Sequence, residues 1–118
     1  GYVYIIDRKH DMIISGGFNI YPREVEEAIL MHPGIAEVAV IGVPDEVWGE
    51  AVKAVCVPKE GAELSAGEII EVCKQKLASY KKPKSVDFVS ELPKNNYGKI
   101  ERKKLKDQYW AGHQRRVN

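Results

Sequence analysis

The stretch from Ile35 to Val57 reads IAEVAVIGVPDEVWGEAVKAVCV, and it sets the architecture of this chain. Both of its ends, Ile35 to Val43 and Ala51 to Val57, are rich in the apolar and β-branched residues that form buried strands. Pro44-Asp45 between them is typical of a turn, and Pro58 ends the second run. We therefore predict that the two runs pair as the central strands of a β-sheet.

A short hairpin and a helix are predicted before this stretch. Met12 to Ser15 is apolar and strand-like, Gly16-Gly17 interrupts it, and Phe18 to Ile20 resumes the same character. Pro22 suits the first position of a helix, because the N–H that proline lacks has no partner within a helix at that position. Acidic residues follow in the first turns, and we expect this helix to end near His32.

Further helices and a third strand are predicted after the central strands. Ser65 followed by Glu68 is a capping box at a helix start. Ser85 to Val89 reads as a strand, and Arg102 to Trp110 as a short basic helix. This order of elements predicts an α+β fold, in which a small sheet of about three strands is covered by helices and preceded by an N-terminal hairpin.

A polar turn near the C-terminus presents one lysine. Residues 93–100 read PKNNYGKI, and Asn95, Asn96 and Gly98 are residue types that tolerate the left-handed backbone of tight turns. Lys99 is then a charge on a long stem, held out from a rigid base, which can reach a neighbouring body and meet negative charge there. From the turn alone, the leading interpretation of Lys99 is a solvated surface residue, as lysines on turns usually are.

The composition is that of one globular domain with an uneven charge distribution. The chain has 118 residues and a net charge of +1. Residues 1–73 hold 5 Lys/Arg against 13 Asp/Glu, a net of −8, whereas residues 74–118 hold 13 against 4, a net of +9. The basic half could contact phosphates, or it could complement the acidic half. No apolar run approaches the ~20 residues of a membrane span, and two cysteines suggest free thiols in a reducing cytosol.

Four motifs, in order along the chain, resemble the signatures of one enzyme family. They are Asp7 to Glu26 (DRKHDMIISGGFNIYPREVE), Gly42-Val43-Pro44-Asp45 with Gly49-Glu50, Leu77 to Pro83 (LASYKKP), and Phe88-Val89 with Leu92-Pro93-Lys94 and Gly98-Lys99-Ile100. Together they resemble the C-terminal domain of the adenylate-forming enzymes, which include acyl-CoA synthetases, nonribosomal peptide synthetase adenylation domains and luciferases. The pattern is most similar to ligases of fatty or aryl acids.

The resemblance implies a reaction in two steps. A carboxylate attacks the α-phosphate of ATP to give acyl-AMP and pyrophosphate, and the CoA thiol then attacks the acyl carbon and releases AMP. It implies ATP, Mg²⁺ and CoA for the full-length enzyme, with none bound tightly by this chain alone. It also implies that the domain is a mobile lid that turns between the two steps.

The resemblance assigns roles to individual residues. Lys99 matches the catalytic lysine of adenylation, Arg8 matches a contact to the nucleotide ribose, and His10 falls at the hinge, where the family usually has Asp or Lys. Gly16 and Gly17 match a loop that lines the CoA tunnel.

Three further residues match positions that meet the nucleotide of CoA in related ligases. They are Tyr80, Lys82 and Lys84, and the resemblance assigns no metal ligand to this domain. A basic helix end without a ligand is the other interpretation of these three residues.

The predicted organisation is a single lid domain over residues 1–118. Residues 1–10 are its hinge-side strand and linker, 11–110 its body and 111–118 its tail, and the large N-terminal domain is its missing partner. We expect this chain alone to be inactive and the complete acid–thiol ligase to be cytoplasmic, with a carboxylic acid as substrate and no nucleic acid partner. The alternatives are a fragment of an amino-acid adenylation domain and a non-enzymatic module that binds phosphate or nucleic acid.

Overall fold

The computed structural model describes residues 12–78 and 81–117, with side chains up to residue 111. Arg8, His10 and Tyr80 of the predicted site therefore lie outside the described residues. The elements in chain order are β1 (Ile13–Ser15), β2 (Phe18–Ile20), α1 (Pro22–Leu30), β3 (Ile35–Asp45), β4 (Gly49–Pro58), α2 (Ala66–Lys76), β5 (Ser85–Phe88) and α3 (Arg102–Val117).

The strands form one sheet with β4 at its centre. Four strands lie in the order β2-β1-β4-β3, and β5 also pairs with β4. β3 and β4 are antiparallel over almost their whole length, with Val38 opposite Cys56. β1 meets β4 at its start, where Ser15 lies opposite Gly49, and β5 runs parallel to β4 farther along. A parallel neighbour requires a crossover connection, and α2 lies within that connection.

Each face of the sheet has its own apolar core, because successive side chains of a strand point to opposite faces. On the face covered by α1 and α2, the fully buried side chains include Ile13, Ile20, Val25, Ile29, Val40, Ile69 and Cys73. On the face covered by α3, the buried residues are Ala39, Ile41, Val55, Leu92 and Leu105. The alternation along β3 thus assigns one helical layer to each face.

The predicted α+β class and the N-terminal hairpin are confirmed. The three predicted strands and the two hairpin strands join in a single sheet of five strands. α1 ends at Leu30, slightly before the expected end at His32, and α3 continues beyond Trp110 to Val117. No helix within the described part of the chain is long and apolar enough to cross a bilayer.

The predicted capping box at α2 forms only on one side. Ser65 Oγ accepts a hydrogen bond from the Glu68 N–H at 3.3 Å, as an N-cap should. The Glu68 carboxylate lies 3.5 Å from the Ser65 hydroxyl and 3.3 Å from His32 Nε2, instead of accepting from the Ser65 backbone. Glu68 therefore connects the start of α2 to the segment that follows α1.

A buried carboxylate closes the outer edge of β3. The Val40 N–H donates to Glu26 Oε2 at 2.9 Å, and Arg102 donates to both oxygens of this carboxylate, at 2.6 Å from Nε and 2.5 Å from Nη2. Only 8% of Glu26 is exposed. Because Glu26 belongs to α1 and Arg102 to α3, the pair connects the layers on the two faces of the sheet around its edge.

Both cysteines are buried and free. Burial raises the pKa of the Cys56 thiol to about 12 and that of Cys73 to about 11. Neither thiol is therefore a nucleophile at neutral pH, and both act as small apolar residues of the core.

The contact of Glu26 with Arg102 and Val40 predicts that substitutions of Glu26 and Glu27, two neighbours in α1, will lower stability by unequal amounts. Glu26→Ala should lower the free energy of unfolding by about 3 kcal/mol, because it leaves the Arg102 charge and the Val40 N–H without their acceptor. Glu27→Ala is the matched control, since Glu27 is exposed and its contact with Arg23 is 3.5 Å long; we expect less than about 0.5 kcal/mol. Urea unfolding of the 118-residue chain measures both, and equal losses would contradict this interpretation.

Candidate functional site

The turn that carries Lys99 is organised by Asn95. The N–H groups of Tyr97 and Lys99 donate to Asn95 Oδ1 at 2.8 and 3.0 Å, and that of Gly98 donates to the Asn95 carbonyl at 3.0 Å. The Asn95 N–H donates in turn to the Lys99 carbonyl at 2.8 Å. Three consecutive amides therefore converge on one residue.

The backbone angles of this turn differ from those expected for Asn95 and Asn96. Gly98 adopts a φ of 82°, but no described residue other than glycine has a positive φ. Asn95 and Asn96 therefore do not supply left-handed backbone, as the sequence had suggested. Asn95 contributes the acceptor of its side chain instead, which is the hydrogen bonding of an Asx-turn.

The base of the turn is fixed to the sheet. Leu92 is buried in the core beneath α3, and Ile100 packs against the same core. Lys94 Nζ lies 2.7 Å from a carboxylate oxygen of Glu37, near the start of β3. Above this base Lys99 is exposed. The turn thus places an ammonium group at the surface from a fixed backbone.

The predicted glycine loop joins β1 to β2. Gly16 and Gly17 have φ of 58° and 86°, the left-handed conformation of a two-residue hairpin turn. A Cβ on Gly16 would lie 2.3 Å from Trp48 Cε3, whereas one on Gly17 would meet no atom within 4 Å. The two glycines therefore differ: Gly16 accommodates an aromatic ring, and Gly17 borders open space.

Trp48 lies at the centre of the group of residues around this hairpin. Its carbonyl accepts the Gly16 N–H at 3.0 Å, its own N–H donates to Asp45 Oδ1 at 2.9 Å, and the residue is 46% exposed. Lys84 Nζ lies 4.8 Å from the ring centroid. The N–H donors of Trp48 and Val47 lower the pKa of Asp45, which stays a carboxylate. Gly16 and Lys84 are among the residues predicted from the sequence, whereas Trp48 is not.

The structure brings some predicted CoA residues together and leaves one apart. Gly16, Gly17 and Lys84 gather around Trp48, and the Lys84 N–H donates to the Val52 carbonyl of β4 at 2.8 Å. Lys82, next to the buried Pro83, is partly buried, and no hydrogen bond, ion pair or ring contact among the described residues joins it to this group. We call Gly16, Gly17, Trp48 and Lys84 the hairpin cluster.

The hairpin cluster and the Lys99 turn lie at opposite ends of β3. The base of the turn is tied to Glu37, and the hairpin cluster to Asp45, where β3 ends. Eight residues separate these two positions, so at about 3.3 Å per residue they are about 26 Å apart. One small rigid body therefore carries a lysine at one end and an aromatic and basic surface with two glycines at the other.

Two surface grooves are present in the described part of the chain, and the first borders the base of the Lys99 turn through Leu92 and Pro93. One, of about 360 Å³, runs between residues 89–93 and α3, and the other, of about 510 Å³, lies beside the start of α2. Neither is lined by Lys99 or by the hairpin cluster. A ligand at either end would therefore have to be enclosed by another body.

Folding joins the basic half of the sequence to the acidic half. Four basic side chains from residues 74–118 lie within 3.2 Å of acidic ones from residues 1–73, in the pairs Lys81–Glu24, Lys94–Glu37, Arg102–Glu26 and Lys106–Glu50. The uneven charge along the chain thus reflects internal complementarity, and it is not by itself evidence for a surface that binds polyanions.

The contact of Gly16 with Trp48 predicts that substitutions of Gly16 and Gly17 will differ in their effect on the position of the Trp48 ring. Gly16→Ala should displace the Trp48 ring, because the new Cβ overlaps it, whereas Gly17→Ala should leave the ring in place. Both variants should lose about 1–2 kcal/mol of stability through their positive φ. The indole N–H resonance of Trp48 in the 118-residue chain reports the ring position. The same resonance shift in both variants would contradict the contact.

Comparison with known proteins places this domain in a family. Residues 24–99 match the model of the AMP-binding enzyme C-terminal domain. A long-chain-fatty-acid–CoA ligase of Mycobacterium tuberculosis is 51% identical over 111 residues, which are 94% of this chain and 22% of that protein. One from Bacillus subtilis is 50% identical over 113 residues, covering 96% and 20%. The chain thus spans about a fifth of the length of these curated relatives.

Solved structures share the fold. A fatty acyl CoA synthetase of Mycobacterium tuberculosis matches 87% of this chain and 20% of its own, with a TM-score of 0.81 and 50% identity. The o-succinylbenzoate CoA synthetase of Bacillus subtilis, in complex with its acyl-adenylate intermediate, matches 84% and 20%, with a TM-score of 0.78 and 44% identity. The motifs, the fold and these matches together show that the chain belongs to the family of AMP-binding enzyme C-terminal domains.

Proposed function

We propose that this chain is the mobile C-terminal domain of an ATP-dependent acyl-CoA synthetase. The complete enzyme joins a carboxylic acid to CoA through an acyl-AMP intermediate and releases pyrophosphate and then AMP. Its curated relatives are named long-chain-fatty-acid–CoA ligases, which favours a fatty acid as substrate. The acid itself would be bound by the large domain that such relatives contain and that this chain lacks.

The placement of the two candidate ends supports this proposal most directly. Adenylation needs a cation near two anions, and thioester formation needs room for the thin arm of CoA. The Lys99 turn suits the first and the hairpin cluster the second, and the β3 residues to which they are tied, Glu37 and Asp45, lie about 26 Å apart. A single active centre can use both only if the domain turns between the steps.

Lys99 is assigned to adenylation. The carboxylate oxygen attacks the α-phosphorus as the bond to pyrophosphate breaks, so negative charge accumulates where acid and triphosphate meet. An ammonium group beside these oxygens lowers that repulsion and stabilises the charge as it moves. The fixed turn beneath Lys99 supports this role, because it determines where the stem of the side chain starts.

The hairpin cluster is assigned to thioester formation. Gly17 borders open space, which would let the CoA arm pass close to the backbone. Trp48, which is half-exposed, offers a flat surface for a base, and Lys84 a cation for phosphate. Tyr80 and Lys82 keep the role at the CoA nucleotide that the family resemblance implies. In the second step the thiol loses its proton and attacks the acyl carbon, and AMP leaves.

The remaining roles complete the proposal. Arg8 would contact the ribose of AMP and His10 would serve as the hinge, as the family resemblance implies. The described residues contain no group of three or more side chains that could hold a metal, so we assign Mg²⁺ to the ATP phosphates and the large domain. Two free thiols agree with a cytoplasmic enzyme.

The adenylation role predicts a selective loss in Lys99→Ala. In the full-length enzyme, ATP–pyrophosphate exchange should fall by about 100-fold or more, because one preorganised donor to developing charge is removed. Thioester formation from supplied acyl-AMP should stay within about twofold, because that step uses the other end of the domain. Lys74→Ala, on the exposed side of α2, is the control and should change neither rate. Equal losses in both half-reactions would contradict the two-ended model.

The CoA role predicts the reverse pattern in Gly17→Leu. Its side chain would occupy the open space beside the hairpin, so thioester formation from acyl-AMP should fall on the order of 100-fold while adenylation is kept. Gly61→Leu is a matched control, because Gly61 also has a positive φ of 81° and open space but lies in the loop after β4, at the end of that strand opposite the hairpin. If both variants impair thioester formation alike, backbone strain is the cause and the assignment of the hairpin is wrong.

A further inference from the structure

We propose that Asn95 is the positioning residue for Lys99, and that its side-chain oxygen sets the rate of adenylation without touching a substrate. This inference rests on the proposed adenylation role of Lys99 and adds a residue to it. Asn95 acts on the backbone of the turn and not on the substrates. Its substitution should therefore change the reaction rates differently from substitution of Lys99.

The hydrogen bonds within the turn support this proposal. Asn95 Oδ1 accepts two amides, from Tyr97 at 2.8 Å and from Lys99 at 3.0 Å, so this atom must be the oxygen of the side-chain amide and not its nitrogen. Together with the Gly98 N–H on the Asn95 carbonyl, these bonds hold the three amides that lead up to the Lys99 side chain. Tyr97 is 92% exposed, so its side chain adds little packing to this stretch.

The contacts that hold the base of the turn do not replace the hydrogen bonds made by the Asn95 side chain. The ion pair of Lys94 with Glu37 and the bond from the Glu101 N–H to the Pro93 carbonyl at 2.9 Å fix the two legs of the turn. Lys94 and Ile100 also form an isolated bridge between these legs. Within the turn above them, the one side-chain acceptor for backbone amides is that of Asn95. Removing it leaves the Tyr97 and Lys99 amides without this acceptor, while the backbone bonds of the turn and its base stay in place.

Because the base of the turn keeps its contacts when the Asn95 side chain is removed, we predict slower adenylation without a general loss of structure. A lysine stem that starts about an ångström from its proper position brings the ammonium group to the reacting oxygens less often, and displacements of that size can cost about 100-fold. Asn95→Ala should therefore slow adenylation by about 10- to 100-fold in the full-length enzyme. Thioester formation from supplied acyl-AMP should be unchanged.

Two further variants separate positioning from stability. Asn96→Ala is the matched control, because Asn96 is an exposed neighbour in the described turn whose side chain makes no hydrogen bond. Asn95→Ser should recover part of the lost rate, because a serine hydroxyl accepts the same backbone amides more weakly. The expected order of adenylation rates is wild type, then Asn95→Ser, then Asn95→Ala.

A double-mutant cycle with Lys99→Ala tests whether Asn95 acts through the lysine. If Asn95 acts through Lys99, adding Asn95→Ala to Lys99→Ala should lower ATP–pyrophosphate exchange by no more than about twofold further. The proposal is overturned if Asn95→Ala matches Asn96→Ala, if it slows both half-reactions alike, or if the two losses multiply. Should Asn95→Ala not fold, Asn95→Ser alone must still slow adenylation selectively.

Failure of this inference and failure of the proposed function give different results. A Lys99→Ala enzyme that keeps full adenylation removes the proposed role of the lysine, whatever Asn95 does. A Lys99→Ala enzyme that loses adenylation, together with an Asn95→Ala enzyme that does not, removes only the positioning role.

Discussion

The antiparallel pairing of β3 with β4 is the constraint on which both candidate ends depend. It extends from Ile35 opposite Pro58 to Asp45 opposite Gly49, so the two strands form a stiff ladder through the domain. Backbone hydrogen bonds fix the length of this ladder, and the apolar cores on its two faces fix its orientation to the helices. The Lys99 turn is attached near one end and the hairpin cluster at the other. Their separation is therefore a property of the backbone.

Electrostatic pairing holds the outer elements to this ladder. The contact of Glu26 with Arg102 and the Val40 N–H is the most buried example. Such a pair adds little net stability compared with an apolar contact, but removal of one partner is costly. Its value here is specificity: α3 must begin where its arginine reaches around the sheet edge. That start also sets where the preceding turn, and hence Lys99, leaves the sheet.

Local signals in the sequence were sufficient for the elements and for part of the site. Pro22, the hairpin glycines and Ser65 each act within a few residues, so their effects are visible in the order of the letters. The contact of Trp48 with Gly16 and the pairs between the acidic and basic halves join residues that are far apart in the chain. No local pattern encodes which partner a distant side chain will meet. Asn95 was noticed, but for its backbone, because residue type alone does not tell whether an asparagine supplies a conformation or an acceptor.

The exposure of Lys99 is itself consistent with a role that begins only on docking. Two unit charges 4 Å apart attract by about 1 kcal/mol in water and by about 4 kcal/mol at the effective dielectric of a protein surface. The difference of about 3 kcal/mol corresponds to roughly a 100-fold change in rate. Under the proposed function, Lys99 meets the reacting anions where the large domain excludes water, so it would gain this difference in the adenylation step and lose it in the thioester step. For that gain to be realised, the ammonium must arrive in the correct place before solvent leaves, and a backbone turn held by Asn95 meets this requirement.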